Sequence, residues 1–195
     1  MPIDWRKYGV AEEPVKEGSH IKIEPVPHQD AYELSSAQKR IYVLQQIDPA
    51  ATAYNMPQIL MIEGELEHHR LEQAFRQLMM RHEALRTRFF LKEGAPVQQV
   101  LNDVPFDIAY TYGTEEGAER WAQSFIKPFD LSKAPLLRVE VMILPNGRCL
   151  LAVDLHHIIA DGVTVKMLIE ELGTFYKGDG LEPLTIQYKD YAVWQ

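Results

Sequence analysis

The chain has one cysteine, Cys149, in 195 residues, so no intramolecular disulfide framework can exist and a reducing compartment suits it. Cys149 sits in the apolar run Cys149-Leu150-Leu151-Ala152-Val153, where a thiol is expected to be buried and inert rather than nucleophilic. No apolar stretch approaches the roughly 18–20 residues of a membrane span. The opening residues Met1-Pro2-Ile3-Asp4-Trp5-Arg6-Lys7 do not read as a signal peptide, so the expected location is cytoplasmic. Positive charge is also short. Twenty Lys and Arg against 28 Asp and Glu give a formal net charge of -8, which argues against nucleic acid or an anionic membrane as main partner. Arg81, Arg86, Arg88 and Lys92 are a local exception. Absent too are a Gly-x-Ser-x-Gly elbow and a phosphate-binding glycine loop, and no third ligand stands at zinc-like spacing from the paired histidines.

What is present is an alternation of helical and strand patterns. Residues 1–33 carry prolines at 2, 14, 25 and 27 and many charges, and read as a linker with an extended piece at Ile21-Lys22-Ile23; Trp5 and Tyr8 are large enough to pack on a neighbour. Order is expected from Leu34. Ser35 and Ser36 can cap a helix to about Gln45, with Ile41, Leu44 and Gln45 at helical spacing. Met56–Leu66 reads as a strand, and His68–Leu85 as an amphipathic helix burying Leu71, Phe75, Leu78, Met79 and His82. Strands follow at Arg86–Lys92, Val97–Leu101 and Phe106–Tyr112, then a helix over Thr114–Ile126. Pro135–Leu144 and Arg148–His156 form a hairpin across Pro145-Asn146-Gly147. A last helix buries Val165, Leu168, Ile169, Leu172, Phe175 and Tyr176 and closes at Gly178 and Gly180. The fold class is α/β (α+β layered), a mixed sheet with flanking helices, because the hairpins exclude a purely parallel sheet.

The segment that carries chemistry is Leu151 to Gly162. Strand alternation puts Leu151, Val153, Leu155 and His157 on one face and Ala152, Asp154 and His156 on the other. Two adjacent histidines therefore cannot share a task or a metal ion. His157 emerges where an apolar face meets a turn, and an imidazole held there can accept or orient a proton near neutral pH. Asp161-Gly162 sits where the last helix starts and can cap its free N–H groups. On residues alone two readings stand: a catalytic imidazole, or a satisfied core histidine followed by an ordinary helix cap.

Leu155-His156-His157-Ile158-Ile159-Ala160-Asp161-Gly162-Val163 resembles the HHxxxDG motif of nonribosomal peptide synthetase condensation domains. Three further segments resemble motifs of that family in order: Ser35 to Leu44, Arg81 to Phe89, and Tyr188 to Trp194. The resemblance implies one lobe, residues 34–195, of a chloramphenicol acetyltransferase-like fold, with the C-terminal lobe absent. It implies amide formation between a donor acyl or peptidyl thioester and the amine of an acceptor aminoacyl thioester. No cofactor is bound directly; both substrates ride on the 4'-phosphopantetheine arms of donor and acceptor carrier domains, and an adenylation domain is the implied neighbour. His157 is then the acid–base or orienting group, His156 and Asp161 structural, and Gly162 the residue leaving room for substrate. The family's Asp–Arg ion pair makes Arg40 the first partner for Asp161, with Arg81 and Arg86 as alternatives. An epimerisation domain shares the histidine motif but fits the first two segments less well, and a carrier-docking scaffold without turnover is the non-catalytic reading.

Overall fold

The computed structural model describes residues 22–145 and 147–195. Trp5, Tyr8, Ile21 and Asn146 lie outside the described residues, and Lys22 and Ile23 take part in no strand.

Two sheets share the core. In the smaller, β1 (Tyr32–Glu33) pairs with β4 (Ala95–Val100), which pairs with β3 (Thr87–Lys92), all antiparallel. β3 and β4 are joined through Glu93 and Gly94, both at positive φ (53° and 82°), so the loop is two residues and β4 starts at Ala95 rather than Val97. The larger sheet runs β2 (Gln58–Ile62), β7 (Cys149–Leu155), β6 (Leu137–Ile143), β5 (Ala109–Tyr112). Only its β5–β6 pair is parallel, so the sheet is mixed, as the hairpin pattern requires. In the β6–β7 hairpin Leu144 N donates to Arg148 O (2.9 Å), and Gly147 takes the positive φ (77°) that its turn demands.

Helices α2 (His68–Arg81) and α4 (Gly162–Lys177) cover one face of this sheet. Leu71, Phe75, Leu78 and Met79 from α2 and Val165, Leu168 and Leu172 from α4 are all buried, the stripes their helical spacing predicts. α3 (Glu115–Phe125) covers part of the other face, setting Trp121 and Ala118 against Met142, Leu144 and Leu150. β7 is consequently buried at all seven positions, with cover on both faces.

Three differences from the sequence pattern bear on the site. First, α2 stops at Arg81, and a 3-10 turn (Glu83–Arg86) replaces its predicted last turn. The Arg86 guanidinium ends the helix by donating from Nε to Met79 O (2.8 Å) and from Nη2 to Met80 O. Second, α1 (Ser36–Ile47) buries Gln38, Tyr42 and Gln45, whereas Leu44 is 46% exposed along with Val43 and Ile47. Third, Tyr188–Trp194 forms a further helix, α5, and residues from the predicted leading segment are tied to it: Val26 N donates to Asp190 Oδ1 at 2.9 Å.

Candidate active site

The inverted burial of α1 has a direct cause. Gln38 Nε2 donates to Ile158 O (3.2 Å), and Gln45 Nε2 reaches the carbonyls of Pro49 and Ala51 (3.3 Å each). Buried amides repay their desolvation only by such bonds, and these two hold the turn after β7 and the loop after α1.

β7 ends at Leu155, and residues 156–160 turn away from the sheet. His156 is fully buried. Its Nδ1 accepts from Ile158 N (3.1 Å), so in the neutral ring Nε2 carries the proton and donates to Gln45 Oε1 (3.3 Å). Burial, and secondarily the neighbouring His157, push its pKa from 6.5 down to about 4. An N–H aimed at Nδ1 leaves no place for a second proton. His156 is thus a neutral structural wedge between Tyr54 and the edge of the Phe129 ring.

This ring makes the fold acid-sensitive. Between pH 6.5 and 4 the unfolded chain binds a proton at His156 that the folded chain excludes, so stability falls as pH falls through that window. The full difference is about 3 kcal/mol. Urea unfolding of the chain and of His156→Gln should therefore differ in slope over that window, the variant losing less; parallel slopes would remove the assignment.

His157 has the opposite tautomer. Its Nδ1 lies 2.8 Å from Ala160 O, which can only accept, so Nδ1 carries the proton and Nε2 presents a free lone pair. Its backbone N donates to Tyr54 O at 2.8 Å. The residue is exposed and lines an open groove of about 1210 Å³, counting the solvent at its mouth. Ile41, Met167, Leu184, Ile186 and Tyr188 give the groove an apolar lining, and Asp161 stands on its rim.

Asp161 does not form the expected ion pair. Its Oδ1 accepts from both N and Oγ1 of Thr164 (2.7 Å each), capping α4. Those bonds hold its carboxyl below the usual range, the backbone N–H having the largest effect. Among the described residues no arginine is paired with it: Arg40 lies on the exposed side of α1, Arg81 binds Glu171, and Arg86 is spent on main-chain carbonyls. An exposed carboxylate already satisfied at a helix start needs no arginine. Gly162 is the first residue of α4 and opens on an adjoining depression beside Pro57, Lys166 and Glu170 rather than on the His157 groove. A Cβ there would meet nothing within 4 Å, so nothing in this fold itself demands glycine.

Other groups at the groove escaped the sequence reading. His82, assigned there to the apolar face of α2, lines the groove and bonds through Nε2 to Glu171 (2.5 Å). Glu171 also accepts from Arg81 Nε at 3.1 Å through each oxygen. Within β7 and away from the groove, fully buried Asp154 accepts from Asn55 Nδ2 (2.6 Å) and Arg138 Nη1 (3.2 Å). A lone acid inside the run Leu150–Leu155 was the available signal.

The four motif segments meet around this one groove. Gln38 reaches the histidine turn. Ser35 Oγ is 3.0 Å from the Tyr188 hydroxyl. Gln187, which caps α5, donates from Nε2 to Arg81 O and accepts at Oε1 from Glu83 N. A family model described as "Condensation domain" matches residues 28–195. The chain belongs to the condensation-domain family. It is 49% identical over 176 residues to gramicidin S synthase 2 of Brevibacillus brevis, covering 90% of this chain and 4% of that protein. Among solved structures, the X-domain from teicoplanin biosynthesis, in complex with OxyB, superposes with TM-score 0.81 at 26% identity, over 89% of this chain and 39% of that one. The first condensation domain of the calcium-dependent antibiotic synthetase, bound to a substrate analogue, gives 0.74 at 25% identity, over 85% and 43%. The chain thus spans a small fraction of the synthetase and under half of each related structure. As in the sequence pattern, this condensation lobe is a layered α/β unit with a mixed sheet. Among the described residues no helix is long and apolar enough to cross a membrane.

Proposed function

We propose that this lobe supplies the acid–base side of an amide-forming condensation between two carrier-bound thioesters. The observation that carries the reading is the His157 imidazole, ring proton committed to Ala160 O, lone pair free, at the edge of a groove that four motif segments enclose. In the proposed reaction the acceptor amine attacks the donor thioester carbonyl; a C–N bond forms and the C–S bond breaks. His157 Nε2 takes the amine's proton, or orients the amine as that proton leaves, and the proton ends on the departing thiolate, giving the thiol. The thioesters arrive on phosphopantetheine arms of donor and acceptor carrier domains, loaded by adenylation domains of the same assembly. His156 and Asp161 serve by holding the turn, and Gly162 by leaving space in the adjoining depression beside Pro57 and Lys166.

Residues 34–195 are read as one wall of the reaction chamber, so the second wall must come from the remaining part of a condensation domain. Positioning two thioesters needs both. Mixing the chain with loaded carrier proteins should give no dipeptidyl carrier by intact-protein mass spectrometry, and adding the rest of the domain should restore it. Turnover by the chain alone at the rate of the whole domain would overturn the two-wall reading. Gly162→Ala is expected to raise stability by roughly 0.5 kcal/mol while slowing turnover in the complete domain. Unchanged turnover would take Gly162 out of the substrate path.

A docking lobe without turnover is the second reading, motivated by the similarity to an X-domain found in complex with OxyB. Carrier binding with no product after the second lobe is supplied would favour it.

A further inference from the structure

Strand β7 is buried along its whole length, yet it contains Asp154, at 0% exposure. A carboxylate in that position is unfavourable unless its partners do something an apolar side chain could not. Its partners are informative. Asp154 Oδ2 accepts from Asn55 Nδ2 at 2.6 Å and from Arg138 Nη1 at 3.2 Å. Asn55 Nδ2 also donates to Lys127 O (2.9 Å), and Arg138 Nη1 to the same carbonyl (3.2 Å). The Arg138 guanidinium stacks 4.4 Å from the Phe129 ring, whose neighbour in turn is His156. Through the two bonds of Asn55 Nδ2 this cluster anchors one short piece of backbone, residues 54–56.

That piece grips the histidine turn alongside Leu136 O, which accepts from His156 N at 3.1 Å, and Gln38, which bonds Ile158 O. Met56 N donates to Leu155 O (2.8 Å), Asn55 bridges to His156 as an isolated antiparallel pair, and Tyr54 O accepts from His157 N at 2.8 Å. The backbone amide of His157 is thereby set from one side, while Ala160 O sets its ring from the other. Residues 54–56 precede β2 and continue its antiparallel register past the end of β7, where the ladder narrows to the Met56 N–Leu155 O bond, the Asn55–His156 bridge and the His157 N–Tyr54 O bond.

We infer that Asn55, anchored by Asp154 and Arg138, is a positioning residue for His157: its side chain fixes the 54–56 backbone and so the direction of the Nε2 lone pair into the groove. This rests on the catalytic reading of His157 but concerns residues outside the four motif segments. Releasing Asn55 lets the turn shift by a fraction of an ångström to an ångström, enough to misdirect proton transfer without altering the groove that holds the thioesters.

The test uses Asn55→Ala in a complete condensation domain containing this lobe. The expected result is a fall in kcat per folded molecule of about 10–100-fold, with KM for the loaded carriers within about 2-fold. In the same variant, 15N spectra of the His157 imidazole should lose the pure Nδ1–H pattern and show a mixture of tautomers. A lower melting temperature with unchanged kcat and unchanged nitrogen shifts would overturn the inference, leaving Asn55 merely structural. Asp154→Asn keeps the shape and weakens the same bond; it carries the same readouts if Asn55→Ala fails to fold. The nitrogen shifts require no turnover, so they decide the positioning role even if His157→Ala shows the catalytic reading to be wrong.

Discussion

Replacing His157 by alanine is expected to lower dipeptide formation by about 10²–10⁴-fold in a complete domain, with little change in melting temperature. The two halves of that expectation come from different observations. The ring is exposed and, among the described residues, makes a single hydrogen bond, to the main chain of its own turn, so its loss opens no cavity and strands no buried partner there. The rate falls because the free Nε2 is the imidazole lone pair that the groove presents, the other imidazole on its wall being bonded through Nε2 to Glu171. Single-turnover assays with preloaded carriers measure the first half, and thermal unfolding the second. Dipeptide formation at the unaltered rate would end the acid–base account. A large drop in melting temperature would instead say that the ring is part of the scaffold.

Arg138→Ala should show its largest effect in stability, unfolding the chain more easily. Asp154 is wholly buried, and the guanidinium is the charge that faces it at 3.2 Å. Removing one partner of a buried pair leaves the other unsatisfied, which costs about 3–5 kcal/mol; with the Arg138 side chain 23% exposed, the low end, roughly 3 kcal/mol, is expected. The pH dependence gives a second check. Burial already pushes the Asp154 carboxyl up, against the opposing pull of the Asn55 bond and the Arg138 charge. Without arginine it rises further. Between the unfolded value and that raised one, the folded chain binds a proton that the unfolded chain does not, so stability of the variant should improve as pH falls. His156 contributes the opposite slope, so the comparison must be variant against parent at each pH. A variant that loses under 1 kcal/mol at pH 7, or whose deficit grows on acidification, would mean that Asp154 finds its compensation elsewhere.

Much of the fold was legible because apolar periodicity dominates it. The α2 stripe from Leu71 to Met79, the α4 stripe from Val165 to Leu172 and the β6–β7 hairpin are where spacing and turn chemistry put them. The site was legible only in part. Pleat alternation predicts that His156 and His157 face different ways, and the structure buries His156 and exposes His157, although the strand itself stops at Leu155. The tautomer of His157 could not be read, since that depends on Ala160 O, three residues away around a turn. α1 misled because hydrophobic spacing assumes that apolar residues face inward, whereas Gln38 and Gln45 are drawn in by carbonyls up to 120 residues distant in sequence. Asp161 was assigned an arginine through the resemblance, although a helix start within its own turn already satisfied it. The Asn55–Asp154–Arg138 cluster unites three separate stretches of chain, and no periodicity reports such a meeting.

The short turn from His157 to Ala160 has a thermodynamic consequence. Its ring and its amide are both tethered by main-chain carbonyls, so the rotational freedom of that imidazole is surrendered once, when the chain folds, and not again with each arriving substrate. Chemistry at such a centre should therefore carry a small activation entropy, and loosening the tethers should appear first in the temperature dependence of the rate.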